Sequence, residues 1–436
     1  MAQFVDFIAV LGCFEVLVLL LYAARYYMFT YTAAKSGIPR ANNPHSNPSH
    51  HNKNSFVSVL LPVYNEKNVI NRLLTFCTDF DYPDYEVVVI DDSIDETTEM
   101  LTKWADHPRV KVVHRDSRKG WKGGALNVGL SKINPRSTHV IIFDADFVPP
   151  KDLVDRFLER FDDDGVTVVQ GYQVHDLNAE ENWITNAYKV MFSVSNMVEL
   201  NAKNKLKLLL PITGSVYMIR TDVLKKMQFD ECLTEDWELT LRLYEEGYKV
   251  VYDPTLMASA ECPNTLSKYF RQNMRWAEGH TRSAFRQHFW KMLGSKFVTT
   301  REKLDFLFQA GIYLNSILII ASSLGGILSL HSLEYALSIS YVLVTLLFVA
   351  IGVPSLAVAS IVALKLENQR EYFSKIPNLL ILGYLSTPVT AYASLKGLIT
   401  GKSYFHRTYK TGKITKRALI SQLRRLFRRE RAPSDQ

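Results

Sequence analysis

The chain has 436 residues, 47% hydrophobic and 22% charged, with 51 Lys+Arg against 44 Asp+Glu for a net charge of +7. This apolar content excludes disorder as the main state, and the length calls for more than one structural unit at ~150 residues each. Four scattered cysteines without CxxC spacing exclude a disulfide scaffold. The positive charge is local: residues 402–436 carry a net +9, leaving −2 for the remainder.

In chain order, Phe7 to Ala24 is apolar except for Glu15 and is followed at once by Arg25. Its front is acidic and no small-residue cleavage site follows, so a retained anchor (1–35) is expected rather than a signal peptide. A Pro-, Asn-, Ser- and His-rich linker (36–55) comes next, a solvated spacer by composition. Short apolar runs then alternate with helical spacing. Strands are expected at Val57–Leu61, Tyr85–Ile90, Val110–His114 and His139–Phe143, and helices at Glu66–Asp79, Asp95–Ala105 and Gly124–Lys132. Short buried strands alternating with helices predict an α/β domain (56–262) with a doubly wound, mostly parallel sheet, in which ligands bind at the carboxyl ends of the strands.

Amphipathic helices are expected over 263–304. Beyond them Phe306–Leu330, Tyr335–Leu364 and Pro377–Leu395 carry no charge, and each is long enough to span a bilayer at ~20 apolar residues. The fold expected is therefore an α/β domain joined to an α-helical transmembrane region (305–400) and a basic tail (401–436). Arg25, Lys35 and Arg40 after the first span place the α/β domain in the cytosol by the positive-inside rule. A cytosolic tail then requires an even number of later spans, met if the 30-residue stretch folds as a hairpin near Gly352-Val353-Pro354; the alternative is one tilted helix plus a re-entrant piece. In the tail, Leu419, Ile420, Leu423, Leu426 and Phe427 fall on one helical face opposite arginines. Membrane lipids are the expected partner there rather than nucleic acid, because no stacking aromatics are interleaved.

The chemistry-bearing residues sit at strand and helix ends. Asp144-Ala145-Asp146 follows an apolar strand, where two carboxylates can hold a hard divalent cation and through it a diphosphate. Asp91-Asp92 closes another strand; a carboxylate there accepts from a base or ribose, or merely caps a turn. Arg118-Lys119-Gly120-Trp121-Lys122-Gly123-Gly124 precedes a helix, either a basic surface turn or a phosphate contact through Lys122. Thr234-Glu235-Asp236 opens a helix, with Thr234 an N-cap and Asp236 a candidate general base. Gln272, Arg275 and Trp276 stand at i, i+3 and i+4 on an amphipathic helix.

The ordered set Asp91, Asp144/Asp146, Thr234-Glu235-Asp236 and Gln272-x-x-Arg275-Trp276, followed by membrane spans, resembles the family-2 membrane glycosyltransferases, which include cellulose, mannan, chitin and hyaluronan synthases and ceramide glucosyltransferases. Pro62-Val63-Tyr64-Asn65-Glu66, Thr213-Gly214-Ser215 and the segment from Phe405 to Gly412 also look like family blocks. The resemblance implies that Tyr64, Glu66, Asp91 and Asp92 hold the nucleoside of a nucleotide sugar and Lys122 its phosphates. It implies that Asp144 faces the nucleotide, that Asp146, with Asp144, binds Mg2+ or Mn2+, and that Asp236 is the base of an inverting transfer. Thr234, Glu235, Gln272, Arg275 and Trp276 are then expected at the acceptor and diphosphate. Arg407, Thr408 and Lys410 resemble a gating segment, although FHRTYKTG departs from the FxVTxK form of cellulose synthases and leans toward the mannan- or glucan-synthase-like branch. The expected donor is a UDP-sugar, with GDP-mannose the other candidate. The expected acceptor is a growing β-linked polysaccharide, or alternatively a single lipid of the ceramide or polyprenyl-phosphate type.

Overall fold

The computed structural model describes residues 2–38, 55–161, 165–329, 346–400, 405, 407–415 and 418. The linker from 39 to 54, part of the 30-residue apolar stretch and all of the tail helix expected over 419–427 lie outside the described residues.

Seven strands form one sheet: β1 (Phe56–Val63), β2 (Tyr85–Asp91), β3 (Val110–His114), β4 (Ser137–Ile142), β5 (Val168–His175), β6 (Tyr217–Arg220) and β7 (Val250–Ala260). Their order is β3-β2-β1-β4-β6-β5-β7. The pairs β1/β2, β2/β3, β1/β4 and β5/β7 are parallel, and β6 runs antiparallel to both β4 and β5. Val57, Val59 and Leu61 of β1 face one core layer with α2 (Ile70–Cys77) and α5 (Leu153–Leu158), while Leu60 faces the other with α4 (Trp121–Lys132) and α9 (Glu235–Glu245). Cover on both faces is why these strands read as continuous apolar runs. The order 2-1-4 makes the boundary between β1 and β4 a switch point, and the register brings the ends of β1, β2 and β4 to one edge.

Among the described residues, two helices are long and apolar enough to cross a membrane, Gly12–Ser36 and Val349–Leu366. A third arises if Thr300–Ala310 and Asn315–Ala321, bent by 50°, make one span. Residues 330–345, at the end of one expected span and the start of the next, lie outside the described residues. The stretch 377–395 does form a helix over Ile376–Ile399, but it is not among these. Ser386, Thr387, Thr390 and Ser394 dilute its apolar character and turn inward, where they are buried. At Gly352-Val353-Pro354 the chain does not turn back; a π-helical stretch, Phe348–Gly352, runs into the helix Val353–Leu366 with Pro354 in its first turn, where proline is tolerated.

Two buried ionic clusters tie these helices to the α/β domain. Arg25 of α1 (Ala2–Ser36) donates to Asp305 at 2.8 and 3.1 Å, and Lys203 approaches the same carboxylate at 3.4 Å. Glu367, after Val353–Leu366, accepts from Lys189 at 2.7 Å, from Ser193 at 3.0 Å and from the Tyr172 hydroxyl. Buried charges survive only when paired this way.

Candidate active site

Eleven of the residues singled out in the sequence line one cleft at the carboxyl edge of the sheet: Tyr64, Glu66, Asp92, Lys122, Asp144, Asp146, Gln272, Arg275, Arg407, Thr408 and Lys410. The cleft encloses about 140 Å³, below the ~300–1,000 Å³ of small-molecule sites, and Phe405, Arg407, Thr408 and Lys410 form part of its lining.

Lys122 is the hub of the inner end. Gly120, at φ 71°, supplies the left-handed turn that starts α4, and Lys122 in its first turn points into the cleft. Its Nζ lies 2.8 Å from Asp144 Oδ1 and 3.1 Å from Glu235 Oε1, and donates to Gly214 O at 2.7 Å. Burial disfavours the ammonium, but Asp144, Glu235 and Asp236 more than offset this and hold its pKa above the ordinary value. Asp236 is pushed the other way. Burial raises its carboxyl first, the neighbouring Glu235 raises it further, and Lys122 and Arg275 oppose both. A carboxyl raised toward neutrality is matched to proton abstraction.

The turn Thr213-Gly214-Ser215-Val216 adjoins the inner end through the Gly214 carbonyl, which accepts from Lys122. Gly214 has φ 80°, and a Cβ there would sit 2.8 Å from Asp236 Oδ2, so glycine is required. Val216 holds φ 55°, a costly conformation for a β-branched residue. Gln170 and Gln173 of β5 maintain it, donating to the carbonyls of Thr213, Ser215 and Val216 at 2.6–3.2 Å. Ser215 Oγ in turn accepts from the Asp144 amide at 3.0 Å.

At the outer end, Asp146 is 1% exposed. Burial pushes its carboxyl up, yet Lys410 at 2.7 Å and the Glu261 amide bring it below the usual range. Glu66 accepts a two-pronged contact from Arg407 at 2.7 and 3.0 Å, and burial nevertheless pushes it up to about 7. Arg118 stacks 3.4 Å over the Tyr64 ring, and the Phe405 ring is flanked by Arg118, Arg275 and Trp121.

Asp91 lies beneath the cleft rather than in it. It is fully buried and accepts from Thr98 Oγ1 and the Ser93 amide, with His114 Nδ1 at 2.9 Å; Asp92, paired with Arg115, carries the cleft face. Trp276 also departs from expectation. On α10 (Leu266–Arg282) it is one residue, hence ~100°, past Arg275, and its ring packs near Phe192 with residues of the helix Ile376–Ile399. Gln272 faces the cleft and accepts from Tyr188 at 3.0 Å. Thr234 makes no side-chain cap bond; the Trp237 amide instead donates to Asp236 Oδ1 at 2.8 Å.

Sequence reasoning passed over Gln170, Gln173 and Glu261. Glu261, 2% exposed, follows β7 and accepts from Arg72 at 2.7 Å and from the Thr411 and Gly412 amides at 2.9 and 3.1 Å. The signal that flagged Asp91 and Asp144, an acid directly after a buried strand, applies to it equally.

The donor set suits a hard cation. Asp144 and Asp146 offer carboxylate oxygens just beyond one strand end, and Asp146 already faces a positive charge. Among the described residues no group of three or more acidic, His or Cys side chains forms a complete cage. That is compatible with an ion bound by one or two carboxylates and completed by substrate phosphates.

The family model described as Glycosyltransferase like family 2 matches residues 54–279, just over half of the chain. The chain belongs to this family. Among curated relatives of this glycosyltransferase, it is 28% identical over 265 residues to a probable glucomannan 4-beta-mannosyltransferase 7 of Oryza sativa subsp. japonica, covering 58% of this chain and 45% of that protein. It is 28% identical over 234 residues to a probable glycosyltransferase, YdaM, of Bacillus subtilis (strain 168), covering 51% and 55%. The chain spans about half the length of the curated relatives it matches. In three dimensions it is similar to the mannosyltransferase PcManGT from Pyrobaculum calidifontis, solved in complex with GDP-Man and Mn2+, at TM-score 0.58 and 19% identity over 92% of this chain and all of that one. That likeness shows a shared fold.

Proposed function

We propose that the chain is an inverting, membrane-bound hexosyltransferase that moves a sugar from a nucleoside-diphosphate sugar to an acceptor hydroxyl, extending a β-linked polysaccharide. The observation that carries this reading is the Lys122 hub, which joins Asp144 to the Glu235-Asp236 pair across the end of the sheet. Asp236 takes the proton from the acceptor hydroxyl. The oxygen then attacks the anomeric carbon as the bond to the diphosphate breaks, and one displacement inverts the centre. Lys122 and Arg275 meet the charge that develops on the leaving diphosphate. Asp146 and Asp144 would hold Mg2+ or Mn2+, which when bound neutralises the diphosphate. Tyr64, Glu66 and Asp92 would receive the nucleoside. The relatives' names make a mannosyl donor the first to test, ahead of UDP-sugars. The catalytic domain is assigned to the cytosol from the charges after the first helix.

The test is a donor screen on detergent-purified protein with Mn2+ or Mg2+, following nucleoside diphosphate release and product size. A high-molecular-weight product from one donor supports the reading. A discrete organic-extractable glycolipid would replace the polymer acceptor with a lipid, and failure to turn over any nucleotide sugar would overturn glycosyl transfer itself.

A further inference from the structure

The Asp146 carboxylate already faces a cation supplied by the chain. Lys410 Nζ lies 2.7 Å from Asp146 Oδ2, and the two side chains are 17% and 2% exposed. The same oxygen accepts the Glu261 amide at 3.2 Å. This is not an incidental surface pair, because Lys410 is carried on a length of chain fixed on both sides. Ahead of it, Arg407 grips Glu66. Behind it, Thr411 and Gly412 donate to Glu261. Asn68 Nδ2 donates to the Lys410 carbonyl at 3.0 Å, and Gly412, at φ 76°, turns where a Cβ would meet Asn68 O at 2.5 Å.

We propose that Lys410 is a built-in competitor for the divalent cation at Asp146, so that the metal is taken up together with the nucleotide and not before it. This rests on the metal-dependent glycosyl-transfer reading above. An ammonium hydrogen-bonded to Oδ2 uses the lone pair and the negative charge that a divalent ion needs. Two cations crowded on one buried carboxylate repel strongly. Lys410 must therefore leave Oδ2 for the metal to take it, and by itself the metal offers that ammonium no new partner. A diphosphate does, since a lysine is a ready point charge for phosphate. Metal entry and transfer of Lys410 to the donor phosphates then become one exchange, which couples the position of the Lys410 ammonium to a metal-loaded donor. Arg407 and Glu261 act as its fixed points, keeping Lys410 within reach of both partners.

The experiment is Mn2+ binding to the full chain in detergent, followed by the electron paramagnetic resonance signal of free aqueous Mn2+, for wild type, Lys410→Gln and Lys410→Arg. Without nucleotide, Lys410→Gln is expected to bind Mn2+ roughly tenfold more tightly than wild type, while Lys410→Arg, which keeps the cation, stays weak. Adding GDP or UDP should tighten binding in wild type more than in Lys410→Gln. Equal affinities for wild type and Lys410→Gln without nucleotide would overturn the competition and leave the metal assignment standing. If no form binds Mn2+ with or without nucleotide, the metal assignment falls and the competition with it.

Discussion

Replacing Lys122 by Met probes the hub on which the catalytic reading rests. The ammonium is shared by Asp144, whose side chain is 42% exposed, and by Glu235, which is 4% exposed. Loss of the exposed partner costs little, ~1 kcal/mol or less. Loss of the buried one leaves Glu235 uncompensated beside Asp236, a defect of about 3 kcal/mol. At ~2–4 °C per kcal/mol for a domain of this size, the melting temperature should fall by roughly 10 °C. A second effect is independent of folding. Lys122 is the foremost opponent of the rise in the Asp236 pKa, so its removal raises that pKa further. A base works only when deprotonated, so the rate falls as pH drops through its pKa. The acid limb of the kcat profile should therefore move to higher pH by about one unit or more, each unit being worth 1.36 kcal/mol. Nucleoside diphosphate release from pH 5.5 to 9, read beside thermal melts, measures both. An acid limb that stays in place while kcat falls would refute the link between Lys122 and Asp236.

Three further outcomes follow from the same geometry. Asp236→Asn should lower kcat by ~10²–10⁴-fold with donor KM little changed; turnover near the wild-type rate would remove Asp236 as the base. Gly214→Ala puts a methyl 2.8 Å from Asp236 Oδ2 on a left-handed residue, so strain of ~1–2 kcal/mol and a kcat loss approaching ~10²-fold are expected, checked by melting and steady-state kinetics. Glu66 supplies a pH-dependent stability term. With its pKa raised from 4.5 to about 7, the folded chain holds a proton there that the unfolded chain has released. Stability therefore falls as pH rises from about 4.5 to 7, by up to ~3 kcal/mol from this group. Melts at pH 5 and pH 8 should show a smaller difference in Glu66→Gln than in wild type, and an equal difference would exclude Glu66 as the source.

The sheet was legible because its strands are covered on both faces. Val57–Leu61 and Tyr85–Ile90 are apolar apart from Ser58 and Glu86, the second run is closed by Asp91-Asp92, and the strands are found within one or two residues of those limits. What the runs cannot carry is rotation and long-range approach. Arg275 and Trp276 adjoin in sequence, yet only Arg275 reaches the cleft, because ~100° of helix turn separates them. The antiparallel β6 leaves no periodic trace, and Gln170 and Gln173 matter only because β5 lies beside the strained turn before β6. Nor does local pattern place Arg407, Lys410, Thr411 and Gly412 against Glu66, Asp146 and Glu261, since these partners are far apart in sequence. The charges themselves give the approach its reason. Three acids, from the ends of β1, β4 and β7, converge where Arg72, Arg407 and Lys410 meet them. At Glu66, burial and the neighbouring Asp146 push the carboxyl up, and Arg407 and Lys410 oppose that rise. The basic segment thus neutralises with protein charge the same acidic rim on which a metal and its diphosphate would bring both signs together.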